Sequence, residues 1–256
     1  MKIQYCSDLH LEFTLNRNYI LQNPIKPVGD VLILGGDITL LNGMSGSFER
    51  DFFDRLANEF EQVFWICGNH EFYGGFDSEM MDVSFCEAIR PNVWLTNNHT
   101  QTINKVRLIF STLWSHILPS QEVLIRQFIN DFRLIKYRNE VLSVEQYNRF
   151  FEQSKDFIAS ELQTPTTCTK TIVVTHHLPS YQCQLPKYKN SPVSSFVVSN
   201  LDNFIIDKPI DYWIYGHSHG NMPPITIGNA QLITNQLGYI QKGENTGYQN
   251  NAFIEV

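Results

Sequence analysis

Six short runs of β-branched and aromatic residues, most of them closed by Gly, Asp, Asn or His, constrain this chain more than any other feature. Residues 2–6, 31–34, 63–67, 106–110, 171–175 and 212–215 are too short for stable helices and too apolar for a surface, so they read as buried strands. Segments of helical period separate them, at about 47–62, 78–90, 121–137, 144–162 and 198–207. Ser143 ahead of Glu145 and Gln146 suits a helix start, as does Asp77 or Ser78. Strands alternating with helices predict an α/β layered fold. Residues 225–234 and 253–256 add strand-like runs with no helix between them, which suggests a second sheet beside the first.

No repeat, low-complexity tract or linker divides the 256 residues, and we expect one domain over 1–256. Residues 115–163 lack a strand signal and could either cap a site or cover one face of the sheet. The net charge of −7, with no basic block, argues against nonspecific attraction to nucleic acid or anionic lipid. Small phosphorylated substrates stay open, because a metal supplies positive charge that the sequence does not count. The five cysteines include no CxxC pair and read as small buried hydrophobes rather than a disulfide framework. The opening MKIQYCSDLH lacks the apolar core of a signal peptide, and no run approaches the ~18–20 apolar residues of a membrane span. The expectation is a soluble, cytoplasmic protein. Oligomeric state leaves no trace in the sequence.

The strand ends carry the chemistry. They read Ser7-Asp8-Leu9-His10, Gly35-Gly36-Asp37, Gly68-Asn69-His70-Glu71, His176-His177 and Gly216-His217-Ser218-His219. Ligands of open α/β sheets gather outside the carboxyl ends of strands, so these five clusters should converge. In extended chain, residues i and i+2 face one side, so Asp8 with His10 and His217 with His219 can each present two ligands to one centre. Oxygen donors with imidazoles and no thiolate suit Mn²⁺, Fe or Zn²⁺. Asp37 stands alone at its strand end, and a carboxylate between two ligand groups implies two bridged ions. Taken singly, each residue would be a turn or cap residue; the glycines permit tight turns.

These blocks resemble the calcineurin-like metallophosphoesterase superfamily, whose ordered signature is D-x-H, G-D, G-N-H-[DE], H and G-H-x-H. All five occur in order over residues 8–219, and GNHEFY, STLWS, NDFR and HHLPS are similar to a compact, mostly uncharacterised group within it. That group often carries N-P-x-G-Y, whereas Asn235-Gln236-Leu237-Gly238-Tyr239 lacks the proline. The resemblance implies a two-sheet αββα sandwich. It implies one metal on Asp8, His10, Asp37 and His219 and a second on Asp37, Asn69, His176 and His217, with His70 contacting the phosphate or protonating the leaving alkoxide. Two divalent ions roughly 3.5–4 Å apart would activate a water against a phosphomonoester or phosphodiester.

Other roles follow from the residues around these blocks. Glu71 fits a partner that orients a ligand, and of His176 and His177 we favour His176, directly after its apolar run, as the one facing the metals. His99 and His116 read as surface or loop residues rather than ligands. Tyr73, Trp114, Asn130, Asp131 and Arg133 lie in the compact group's blocks; Arg133 could fork a phosphate oxygen or form a salt bridge with Asp131 or Glu140. The protein Ser/Thr phosphatases of the superfamily carry further Gly and Arg residues that Leu11-Glu12 and Ile38-Thr39 replace here. A metal-dependent nuclease is the alternative, since SDLHLE resembles the opening block of DNA-repair nucleases, although these usually carry an added capping domain. A non-catalytic scaffold would show eroded ligand positions, and none is eroded.

Overall fold

The computed structural model describes residues 1–256. Two six-stranded sheets face each other. The strands are β1 (Lys2–Cys6), β2 (Val31–Leu34), β3 (Gln62–Ile66), β4 (Phe85–Arg90), β5 (Val93–Asn97), β6 (His99–Ile103), β7 (Val106–Phe110), β8 (Lys136–Tyr137), β9 (Glu140–Val141), β10 (Lys170–Val174), β11 (Tyr212–Ile214), β12 (Ile225–Ile227), β13 (Ala230–Ile233) and β14 (Phe253–Glu255). The first sheet runs β14-β1-β2-β3-β5-β4 and the second β12-β13-β11-β10-β7-β6. In each sheet four parallel strands are flanked at both edges by an antiparallel one. A small hairpin of β8 and β9 stands apart.

Alternation along the strands explains the layering. Ile3, Ile33, Phe64, Phe110, Ile172 and Ile214 point between the sheets and form a closed inner core, with Phe64 and Phe110 stacked at 4.9 Å. Residues of opposite parity, such as Leu32, Trp65, Val173 and Trp213, face outward beneath helices. The helices are α1 (Thr14–Gln22), α2 (Ser47–Glu59), α3 (Glu122–Phe128), α4 (Asp131–Leu134), α5 (Val144–Gln163) and α6 (Asp202–Ile205). Helix α2 buries Phe52, Phe53 and Leu56, with Phe53 stacked on Trp65 at 5.1 Å. Helix α5 starts where Ser143 Oγ accepts from the Gln146 amide at 3.1 Å, and it buries Tyr147, Phe150, Phe151 and Ile158. The result is the expected two-sheet αββα sandwich.

Several local expectations fail for physical reasons. Residues 78–90 are not a helix: a short 3₁₀ turn, Ser78–Asp82, leads into β4, because Pro91 forces Arg90 into extended backbone and Pro91-Asn92 closes a hairpin onto β5. Residues 121–137 break at Ile129 into α3 and α4, and the helix expected at 198–207 shrinks to α6. The last strands do not form a sheet of their own. Strand β14 pairs with β1, while β12 and β13 extend the second sheet past β11. Helix α1 carried no sequence signal because it buries only Asn16 and Ile20.

Candidate metal centre

All five sequence blocks leave the carboxyl ends of parallel strands, β1, β2 and β3 in the first sheet and β10 and β11 in the second, and they meet at one edge of the sandwich. Backbone hydrogen bonds lace them together: the amides of Asp8 and His10 donate to the carbonyls of Gly36 and Asp37, both at 2.9 Å, and the Gly216 amide donates to the His176 carbonyl at 2.9 Å. Asp8, His10, Asp37, His217 and His219 all sit in left-handed backbone, with φ of 56°, 47°, 54°, 69° and 49°. The i, i+2 pairs therefore do converge, but not in extended chain. Such backbone costs of order 1–3 kcal/mol per residue and persists only where its surroundings over-determine it. Leu9, fully buried between Asp8 and His10, supplies part of that constraint.

Besides a cluster of His10, Glu12 and His70 at the mouth, two groups of donor atoms emerge, each close enough to hold one cation. Asp8, His10, Asp37 and His219 form one, and Asp37, His176 and His217 the other. Asp37 belongs to both. Its Oδ1 accepts from the His70 amide at 2.9 Å, while Oδ2 lies 3.7 Å from His10 Nε2 and 3.4 Å from His176 Nε2. Burial disfavours a charge here, but His176, His70 and His10 outweigh it and hold the carboxyl well below its ordinary range.

The tautomers fit a cation. Nδ1 of His10 donates to Glu12 at 3.0 Å and Nδ1 of His219 donates to Glu244 at 2.8 Å, which leaves the two Nε2 lone pairs facing each other across 2.9 Å. Likewise His176 Nδ1 donates to the Gly35 carbonyl at 2.9 Å, and its Nε2 faces His217 Nδ1 at 3.1 Å. Facing lone pairs repel unless a proton or metal lies between them. Burial pushes the imidazoles of His10 and His217 down, toward the neutral form that ligates. For His176 burial also opposes a proton, but Asp37 wins and lifts it to about 10, so without metal a proton takes the bridging place.

Asn69 is aimed from behind. Its Nδ2 donates to Asp131 Oδ1 at 3.0 Å, which leaves its buried Oδ1 with no partner, as a carbonyl oxygen reserved for a cation would be. Tyr73 donates a short hydrogen bond to the same carboxylate oxygen. Close packing leaves no room for larger residues behind the ligands: a Cβ on Gly36, where φ is +90°, would lie 2.4 Å from His176 Nδ1, and one on Gly68 would lie 2.2 Å from Asp37 Oδ1.

Glu71 stands outside both donor groups. Its Oε2 accepts from the amides of Asp37 (3.0 Å) and Gly68 (2.7 Å), and its Oε1 from the Ile38 amide (2.8 Å) and Trp65 Nε1 (3.0 Å). This carboxylate clamps the β2 and β3 loops together. His177 points away: its Nε2 pairs with the Tyr147 hydroxyl at 3.0 Å and its ring packs on Trp114 and His217. Neither His99 nor His116 joins a donor group. Arg133 makes neither of its two expected partnerships; its guanidinium donates to the Gln127 carbonyl at 3.0 Å from an exposed position.

His70 lies at the mouth of the centre. Its Nδ1 pairs with Glu12 at 2.9 Å, its Nε2 with the Tyr239 hydroxyl at 3.0 Å, and its ring stacks on Tyr73 at 4.1 Å. Burial opposes a proton, but Asp37, Glu12 and Asp131 outweigh it and raise His70 to about 9. Glu12 falls to about 2: burial would raise it, but the hydrogen bonds from His10 and His70 prevail. Sequence reading gave Glu12 no role, although its place two residues beyond His10 is the signal that could have found it. Tyr239 was quoted only as part of a departing motif, and Glu244 carried no signal in its irregular loop. The 235–239 segment earns its place by geometry: the Leu237 and Gly238 amides donate to the Ser7 and Asp8 carbonyls at 3.1 and 3.0 Å, which brings Tyr239 against His10 and His70.

A cleft of about 720 Å³ opens over the centre, lined in part by Asp37, Asn69, His70, His217, His219 and Tyr239. No helix is long and apolar enough to cross a membrane. The chain is 28% identical to an uncharacterized protein, L509, of Acanthamoeba polyphaga mimivirus over 99% of this chain and 96% of that one. Its fold is similar to that of a phosphopantetheinyl hydrolase from Mycobacterium tuberculosis, with a TM-score of 0.71 and 16% identity over 99% of this chain and 95% of the other. A dimetal phosphatase from Danio rerio aligns over 92% of this chain and 87% of its own at 16% identity, with a TM-score of 0.45. The model of the calcineurin-like phosphoesterase family matches residues 1–221, and the chain belongs to that family.

Proposed function

We propose that this protein is a binuclear, metal-dependent phosphoesterase acting on a small phosphomonoester or phosphodiester. The observation that carries the reading is Asp37 Oδ2, set between two imidazole groups whose lone pairs face inward. Asp8, His10, Asp37 and His219 would hold one divalent ion and Asp37, Asn69, His176 and His217 the other; Mn²⁺, Fe and Zn²⁺ all suit this donor set. When bound, the ions supply the positive charge that neutralises phosphoryl oxygens and acidifies the attacking water. The chain's own residues do the rest. Glu12 holds His70 so that Nε2 faces the cleft, where it can donate to a phosphoryl oxygen or protonate the leaving one. Tyr239 shares that Nε2, so a substrate must join or displace its hydroxyl.

Residues 1–256 would act as one catalytic unit, with residues 128–134 forming a lip of the cleft and α5 packed into the sandwich. The nuclease alternative is disfavoured, since Lys242 is the one lysine or arginine that lines the cleft and a nucleic-acid backbone needs several. Five unpaired cysteines favour a reducing, cytoplasmic compartment. The test combines elemental analysis with hydrolysis of mono- and bis-p-nitrophenyl phosphate, with and without Mn²⁺. About two ions per chain and metal-dependent turnover are expected, and Asp37→Ala should lose both. Turnover that survives this substitution would refute the binuclear reading, and an intact protein that takes up no metal would favour a scaffold.

A further inference from the structure

The walls of the cleft differ in character from its floor. Phe196 packs its ring 5.2 Å from that of His217, and Val193, Val197, Ile129, Leu134 and Phe128 line the same cleft. Phe128 is 62% and Leu134 44% exposed, although both belong to short helices with a core available to bury such residues. Across the centre, Phe13 stands 37% exposed, edge-on to Tyr239 at 5.4 Å, and Tyr239 in turn packs against His10. Apolar side chains therefore meet the donor groups at Phe196 and at Phe13 with Tyr239, in a lining whose other members include neutral polar residues such as Gln184, Ser191 and Ser194.

The charges in the cleft point the same way. Of the carboxylates beyond Asp37 that line it, Glu12 is bonded to His10 and His70, Asp131 to Asn69 and Glu244 to His219, so each serves the centre; outside the centre the one cationic side chain is Lys242, on the exposed rim with its Nζ 4.6 Å from the Tyr239 ring. One phosphoryl group at the centre would be matched by the ions. A second phosphate or a carboxylate farther out would meet apolar and neutral side chains, with Lys242 its single counter-charge and no guanidinium.

We infer that the substrate is a phosphodiester with uncharged ester arms, at least one of them apolar, lying along the wall formed by Phe128, Leu134 and Phe196. This rests on the phosphoesterase reading and narrows it. In the reaction, water adds to phosphorus, the bond from phosphorus to the leaving arm's oxygen breaks, and that oxygen takes a proton. The products are a phosphomonoester and an alcohol.

The test keeps the leaving group constant and lengthens the other arm: methyl, butyl and hexyl p-nitrophenyl phosphate, with a 5-carboxypentyl ester as the anionic control, all on Mn²⁺-loaded protein. Half-burying each methylene gives about a twofold gain, so five methylenes should raise kcat/KM roughly 30-fold from methyl to hexyl. The double variant Phe128→Ser, Leu134→Ser should cut that gain below about fivefold, whereas Val123→Ser, 76% exposed on the helix that carries Phe128 and outside the cleft, should retain it. Both residues of the double variant are exposed, so folding is preserved. Calorimetric titration with methyl- and hexylphosphonate reads the same ratio without turnover. A flat chain-length dependence, an equally good carboxypentyl ester, or an unchanged gain in the double variant overturns the inference while leaving hydrolysis intact. Failure to hydrolyse any ester, together with tighter hexylphosphonate binding that the double variant loses, supports the apolar wall and refutes the phosphoesterase reading.

Discussion

Replacing Glu71 by Gln tests whether this buried acid is a clamp or a ligand. Each carboxylate oxygen accepts two N–H groups, from Asp37 and Gly68 on one side and from Ile38 and Trp65 on the other. An amide presents one oxygen and one NH₂, so whichever way it turns, two buried donors lose their acceptor and face another donor. Each orphaned buried donor costs ~1–3 kcal/mol, which puts Glu71→Gln at roughly 4 kcal/mol. At about 2–4 °C per kcal/mol for a chain of this size, Tm should fall by about 8–16 °C. The measurement is thermal unfolding in EDTA, where no metal contributes. Adding Trp65→Phe leaves three donors, so the amide NH₂ can face the Ile38 side and orphan that amide alone, and the double variant should fall short of additivity by roughly 1–3 kcal/mol. An unchanged Tm in EDTA, with metal affinity lost, would show that Glu71 is a ligand and refute the clamp.

Two further outcomes follow from the surroundings of the ligands. Asp131→Ala frees the Asn69 amide to rotate, and calorimetry should show metal affinity down about 10–100-fold. Asp131→Asn keeps an acceptor and should lose less, while wild-type affinity in the alanine variant would exclude the positioning role. In metal-free protein, NMR titration should place His70 at about 9, and Glu12→Gln should lower that midpoint by about 1–3 pH units. Because His70 binds its proton more tightly folded than unfolded, its stabilising contribution is full below about 6.5 and disappears as pH rises through 9. Glu12→Gln should move that loss to lower pH, and an unmoved midpoint would contradict the Glu12 pairing.

The donor residues were legible because a parallel sheet announces its strand ends: short apolar runs stop abruptly at Asp8, Asp37, Asn69, His176 and His217, and topology does the gathering. The backbone that gathers them was not legible. Left-handed φ at Asp8 and His10 arises from contacts to Gly36, Asp37 and Gly238, residues far away in sequence. Edge strand β4 misled for a related reason, since its half-exposed residues lack the clean alternation of a buried strand and Pro91 alone betrays it. Partners such as Glu244 and Tyr239 sit in a segment held by single backbone bonds, where no periodicity exists to read.

The seam on which the donors lie has a mechanical consequence. Asp8, His10 and Asp37 ride on the first sheet and His176, His217 and His219 on the second, and their contacts cross from one to the other. Any shear of one sheet against the other must first pull these donors apart, so cations held at the seam would act as rivets through the sandwich. Metal loading should then slow unfolding itself, and a chelator should shorten the lifetime of the folded chain even where every strand keeps its own ladder.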